Sequence, residues 1–159
     1  MLCCGGAGFY YSVEQRIEEH MIRQMIKAIE IMECEISYRL STLTELCVAA
    51  ANETEGTVSS LLRKFSELLI KQETTDIKRC MELAVETQKC LPCRIKHLTL
   101  QFAGSLGKFD IDGQLIGLES AKGSCERQLK ELTANKQIRQ RGYQTLGLCA
   151  GAAIIILLI

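Results

Sequence analysis

The sequence predicts an all-α protein, an antiparallel helical bundle with a C-terminal membrane helix. Apolar residues recur every three or four positions through most of the 159-residue chain, and no segment alternates with the period of a strand. A single proline leaves the helices almost uninterrupted. Because the connecting segments are short, neighbouring helices should run antiparallel. We divide the chain into an apolar N-terminal stub (1–11), a helical bundle (12–141) and an anchor (142–159).

The first predicted helix begins at Ser12, which forms a capping-box pattern with Gln15. We interpret the uncharged residues 1–11, which are too short to span a bilayer, as the remnant of a membrane segment, with an interfacial or disordered lead-in as the alternative. The core face of this helix has a spacing of three or four residues. It consists of Val13, Ile17, Met21, Met25, Ile29, Met32 and Ile36.

Three further helices follow, each with its own start signal. Thr42 and Glu45 form a capping box, Thr57 caps a third helix, and Asp76 or Thr75 caps a fourth. The expected core residues of the third and fourth helices are Val58, Leu61, Leu62, Phe65, Leu68, Leu69, Ile77, Cys80, Met81, Ala84 and Val85.

Pro92 suits the first turn of a fifth helix, Gly107 ends it, and Asp110 caps a sixth that continues into the tail. Their expected core residues are Ile95, Leu98, Phe102, Leu106, Ile111, Leu115, Leu118, Cys125, Leu129 and Leu132.

The tail is the strongest localisation signal. Residues 146–159 carry no charge, and a helix of this length rises about 21 Å, against a hydrocarbon core of roughly 30 Å. Five basic residues and one acid occupy 127–141, which favours a cytoplasmic flank. A last soluble helix is the alternative. The anchor residues are Tyr143, Leu146, Gly147, Gly151, Ile154, Ile155, Ile156, Leu157, Leu158 and Ile159.

Charge and motif content point away from catalysis. Net charge is zero, so no overall field attracts nucleic acid. The nine cysteines, with Cys34, Cys47 and Cys125 on apolar faces, indicate buried hydrophobes in a reducing compartment. The Cys90-x-Pro-Cys93 motif lacks the strand that a thioredoxin-like site needs. With His97 it offers three residues of zinc-ligand type, but no fourth ligand with matching spacing. We therefore expect no enzyme activity, no metal and no cofactor.

A cluster of acids on the first helix, Glu30, Glu33 and Glu35, is the candidate partner-binding patch. Such carboxylates on a solvated face lack the apolar surroundings that would raise their pKa for acid–base work. They suit charge steering towards a basic protein surface instead.

Residues 28–46 and 106–159 together resemble the stage III sporulation protein AB family. The most specific pieces are the Leu-Gly-x-x-Asp-x-x-x-Gln turn and the ending with Tyr143 and an aliphatic run. The turn residues are Leu106, Gly107, Asp110 and Gln114. The chain departs from the family in its short N-terminal apolar stretch and its many cysteines.

The resemblance implies an adaptor in the mother-cell membrane facing the forespore, within the channel-like complex that joins the two cells. It further implies a bundle similar to the cytoplasmic domains of type II secretion and type IV pilus platform proteins. The implied partners are the sporulation ATPase, stage III protein AA, other membrane subunits of the complex and the membrane itself. The alternatives are a thiol redox protein using Cys90 and Cys93, and a generic tail-anchored scaffold.

Overall fold

The computed structural model of the chain describes the backbone of residues 3–39, 41–71, 76–88, 91–106 and 111–158, and the side chains of the same ranges within 14–134. Over this part of the chain there are six α-helices and no strand, which confirms the all-α prediction. The helices are α1 (Cys3–Arg39), α2 (Leu43–Glu53), α3 (Gly56–Lys71), α4 (Ile77–Glu86), α5 (Cys93–Ser105) and α6 (Ile111–Leu158).

The helices close into a ring, because each packs against the next and α6 packs against α1. The α5–α6 pair is antiparallel: Arg94 Nη1 donates to Gln128 Oε1 at 2.9 Å, whereas Gly117 lies against Ser105 one helix length away. Helix α1 also packs against α3 and α5. It is therefore the helix around which most of the bundle is assembled.

The core lies along the inward face of every helix. The largest side chains with almost no exposure come from all six: Ile22, Ile29 and Met32 (α1), Leu46 (α2), Phe65 (α3), Met81 (α4), Ile95 (α5) and Leu118 (α6). Polar groups inside it are satisfied locally, as when the buried Thr99 hydroxyl donates to the Ile95 carbonyl at 2.8 Å. Spacing of three or four residues thus predicted the buried faces well.

Helix α1 differs from its prediction at three positions. It begins at Cys3, so Ser12 lies within the helix and the predicted cap is wrong. Ile17 is 48% exposed rather than buried. The side chains of Gln24 and Lys27 form hydrogen bonds to the connection between α2 and α3. Ile17 lies about two helical turns before Gln24 on α1, so it extends past this connection. Cys34 is exposed because it faces away from its neighbours Met32 and Ile36.

The turn between α1 and α2 follows the prediction. Thr42 Oγ1 accepts from the Glu45 N–H at 3.4 Å, and the Glu45 carboxylate accepts from the Thr42 N–H at 2.8 Å. Both halves of the capping box are therefore formed. Asp76 caps α4 as expected, accepting from the Lys78 N–H at 3.0 Å.

The turn between α2 and α3 is fixed from α1. The Lys27 ammonium donates to the Glu53 carbonyl, and Gln24 Oε1 accepts from the Glu55 N–H at 3.1 Å. A cation at the last carbonyls of α2 also opposes the negative end of that helix dipole. Helix α3 starts at Gly56, whose φ of +65° favours glycine, and the predicted cap Thr57 already lies inside the helix.

The boundary between α5 and α6 lies where the sequence predicts it, but the burial of one side chain differs from the prediction. Pro92 is the N-cap of α5, and Leu106, which is fully buried, is its C-cap. The predicted stop Gly107 and cap Asp110 lie outside the described residues. Ile111 is 48% exposed, so its predicted burial is wrong: it occupies the first position of α6, where the helix has only just entered the bundle.

Within the residues whose side chains the structure describes, no helix has the length and apolar character to cross a membrane. The side chains of the predicted anchor, residues 142–159, lie outside that part. The anchor therefore stays a prediction.

Replacing Gly117 by alanine should destabilise the bundle. An added Cβ would stand 2.9 Å from the Ser105 Cβ and 3.1 Å from the Ser105 carbonyl oxygen, so α5 and α6 would have to separate. We expect the free energy of unfolding to fall by about 1–3 kcal/mol in chemical denaturation.

Gly123→Ala is the matched control on the same helix, since its Cβ would meet nothing within 4 Å. There alanine should raise stability by up to about 1 kcal/mol through helix propensity. Equal effects at the two glycines would contradict the close approach of α5 and α6.

Replacing Glu45 by alanine should destabilise the protein in a pH-dependent way. The hydrogen bonds from Thr42 to its carboxylate lower the pKa of Glu45 in the folded state. The stabilisation is therefore complete above the unfolded-state pKa and is lost as the pH falls through the lower folded-state value. The difference in unfolding free energy between parent and Glu45→Ala should be present at neutral pH and shrink in acid. A difference independent of pH would show that the carboxylate charge plays no part.

Candidate functional site

A groove between the second half of α1 and the first half of α6 is lined largely by charged side chains. Its volume is about 540 Å³. Helix α1 supplies one wall and α6 the other, and the two helices pack against each other. The lining residues are Glu33, Ser37, Leu115, Glu119, Lys122, Gly123 and Glu126.

Lys122 bridges the two walls of the groove. Its Nζ lies 2.9 Å from Glu30 Oε1 and 3.7 Å from Glu33 Oε2. The hydrogen bond to Glu30, followed by the charges of Glu33, Glu30 and Glu126, raises the pKa of Lys122, while desolvation acts in the opposite direction. Lys122 is therefore a firmly protonated cation.

The groove remains acidic in spite of this lysine. Glu30, Glu33, Glu119 and Glu126 border it, so four carboxylates face one ammonium. Neither Glu119 nor Glu126 forms an ion pair with a described base. The Glu30 side chain is 52% exposed, and such half-exposed pairs contribute about 0–1 kcal/mol. The groove therefore has negative charge available for a cationic partner, and breaking the Glu30–Lys122 pair would cost the protein little stability.

Two large exposed apolar residues follow lining residues of the groove in the sequence. Tyr38 follows the lining residue Ser37 and is 84% exposed, and Ile116 follows Leu115 and is 67% exposed. Exposed aromatic and aliphatic side chains beside a charged rim are typical of protein-interaction surfaces. We call the groove between α1 and α6 the α1–α6 groove.

The structure brings together only two of the three predicted patch residues. Glu30 and Glu33, three positions apart, share the helix face that meets Lys122. Glu35 faces α2 instead, where it lies 3.5 Å from Arg39 Nη1 and accepts from the Ser41 hydroxyl at 3.3 Å. It lines a separate groove of about 640 Å³ between the end of α1 and α2.

The residues of the predicted turn frame the α5–α6 connection. Leu106 is buried as the C-cap of α5, and Gln114 is half-buried near the start of α6. Gly107 and Asp110 lie outside the described residues. Of the anchor residues only the backbone is described, as part of one continuous α6 up to Leu158.

Only part of the Cys90-x-Pro-Cys93 motif lies within the described residues. Cys90 lies outside the described residues, and Cys93 is exposed as the first residue of α5. His97 is also exposed. The described side chains contain no group of three or more potential metal ligands.

The sequence interpretation missed the α6 wall of the groove. Glu119, Lys122 and Glu126 are spaced at three and four residues, so they occupy one face of a helix, and this periodicity was available in the sequence. What it could not show is that this face lies against Glu30 and Glu33. That contact depends on α6 returning to α1 across the ring.

Comparison with known proteins connects this fold to one family. The model of the stage III sporulation protein AB family matches residues 1–159. A solved structure described as stage III sporulation protein AB has 23% sequence identity and a TM-score of 0.64, over 74% of this chain and 94% of that one. This structural likeness shows a shared fold. No protein with a curated description matches the chain significantly.

Thiol reactivity should separate the cysteines by burial. Desolvation raises the pKa of Cys47 to about 12 and that of Cys125 to about 11, the latter with a contribution from Glu126. Because the thiolate is the reactive form, iodoacetamide at mildly alkaline pH should modify the exposed Cys34 and Cys93 long before Cys47 or Cys125.

Mass spectrometry of the alkylated chain would measure this order, and the same reaction in guanidinium chloride should abolish it. Rapid modification of Cys47 in the folded protein would contradict its position in the core.

Proposed function

The chain belongs to the stage III sporulation protein AB family, and on that premise we propose that it is a membrane-anchored, non-enzymatic adaptor in endospore formation. Membership of the family supports a role in sporulation. The proposed adaptor couples the sporulation ATPase, stage III protein AA, to other membrane subunits of the mother cell–forespore channel. It would lie in the mother-cell membrane facing the forespore, with its bundle in the cytoplasm.

The α1–α6 groove is the observation that carries the docking part of this proposal. An excess of carboxylates attracts and orients a basic protein surface. Nothing in this arrangement requires chemistry at a bound substrate. A rigid helical scaffold with an acidic groove is suited to holding another protein.

The anchoring part of the proposal is supported by sequence and backbone together. Residues 146–159 are uncharged, and five basic residues precede them between Arg127 and Arg141. The backbone of α6 is helical without interruption from the bundle to Leu158. We propose that residues 142–159 insert into the bilayer and orient the bundle relative to it.

The platform part of the proposal extends the family resemblance. A secretion platform needs cytoplasmic helices that transmit contact with an ATPase to membrane segments. Here α1 and α6, which form the groove, are also the two longest helices, and α6 is the one that continues into the proposed anchor. The docking groove and the anchor would thus share one helix.

Charge reversal in the groove should weaken ATPase binding. We would reconstitute the full chain in nanodiscs and measure its binding to purified stage III protein AA by biolayer interferometry. Glu30→Lys combined with Glu33→Lys should reduce affinity by more than about tenfold, because attraction becomes repulsion. Glu30→Gln with Glu33→Gln should give a smaller loss in the same direction.

The matched control is Glu82→Lys with Glu86→Lys on α4. These residues do not line the groove. Reversing the charge of Glu82 also breaks an ion pair, because Glu82 Oε2 lies 2.8 Å from Arg79 Nη1. Circular dichroism would verify that every variant is folded. Equal losses in both pairs would discard the groove as the docking site, and absence of binding by the folded parent would refute the coupling role.

A further inference from the structure

Lys122 occupies the position that a partner's cation would need. Its ammonium lies between Glu30 and Glu33, the two groove carboxylates on the α1 wall. A basic side chain of a docking protein would have to approach the same oxygens. It would also meet the charge of Lys122 at close range, since both cations would share one groove.

We infer that Lys122 is an internal counter-ion that competes with the docking partner for Glu30 and Glu33, and so holds its affinity down. This inference rests on the proposed docking function and specifies how that site is regulated. An incoming arginine displaces the ammonium from Glu30 and replaces one ion pair by another. The carboxylates stay paired in both states, so the free protein does not leave them unpaired in the groove.

The geometry allows this exchange. The Glu30 side chain is 52% exposed and the Lys122 side chain 26% exposed, so solvent and a partner both reach the pair. The second contact, 3.7 Å to Glu33, is long for a charge-assisted hydrogen bond. An arginine with its planar fork could bind a carboxylate through two parallel hydrogen bonds, where the lysine makes one.

Once displaced, Lys122 has other carboxylates within its own helix. Glu119 and Glu126 are three and four residues away on either side and line the same groove. Its flexible chain can therefore turn towards Glu126, whose charge already acts on the ammonium. The lysine then lies beside the partner's contact instead of blocking it.

The test is a gain of binding on removal of this lysine. With the full chain in nanodiscs and the ATPase stage III protein AA as the probe, Lys122→Met should tighten binding roughly fivefold at low salt, since one like charge leaves the groove. The gain should fade as salt rises and screening shortens the range of the charges. Lys122→Arg keeps the cation and should bind like the parent or more weakly.

Lys96→Met is the matched control, because it removes the same charge from an exposed position on α5. Because Lys96 does not line the α1–α6 groove, its removal should change affinity far less than removal of Lys122. Melting temperatures of all variants would show whether the bundle is intact.

Equal or weaker binding by the folded Lys122→Met variant, with the parent binding, would overturn the competition and assign Lys122 to the contact surface itself. Equal gains from Lys122→Met and Lys96→Met would also overturn it, in favour of a general charge effect. Absence of binding by parent and variants alike would instead refute the docking function from which the inference starts.

Discussion

The burial of one continuous apolar seam on α1 is the constraint on which the rest of the structure depends. Residues from Met21 to Ile36 contact helices from both halves of the chain, because α1 packs against α2, α3, α5 and α6. Short connections favour antiparallel neighbours, and with six helices α6 then runs antiparallel to α1, against which it packs. The ring closes there, which creates the groove as a by-product of burying the core.

The charged residues follow from this closure. The α1–α6 contact brings the inward apolar stripes together and leaves the flanking positions of both helices at the edge of the seam. Flanking positions carry Glu30 and Glu33 on one side and Glu119, Lys122 and Glu126 on the other. One lysine neutralises part of the negative charge across the seam, and the excess remains accessible to solvent.

Much of the fold could be predicted from local sequence patterns. The capping box at Thr42, the cap at Asp76 and the core faces of α3, α4 and α5 all depend on residues within a few positions of one another, and the structure confirms them. The failure at Ile17 has a non-local cause. Ile17 continues the periodic seam, but it lies beyond the level of the α2–α3 turn, so periodicity alone could not show its exposure. Helix spacing separates Glu35 from Glu30 and Glu33, whereas the ring decides which face of α1 is covered by α6.

The uninterrupted length of α6 has a consequence for the range over which charges act. From Lys122 to Tyr143 the helix advances 21 residues, or about 32 Å along its axis. With residues 142–159 in the bilayer as proposed, this rise separates the groove from the lipid headgroups by several Debye lengths, each about 8 Å at physiological salt. The negative surface potential of the membrane would decay before it reached the carboxylates. Lys122 and a partner's basic residues would then compete in a field set by the protein alone, independent of the lipid composition beneath it.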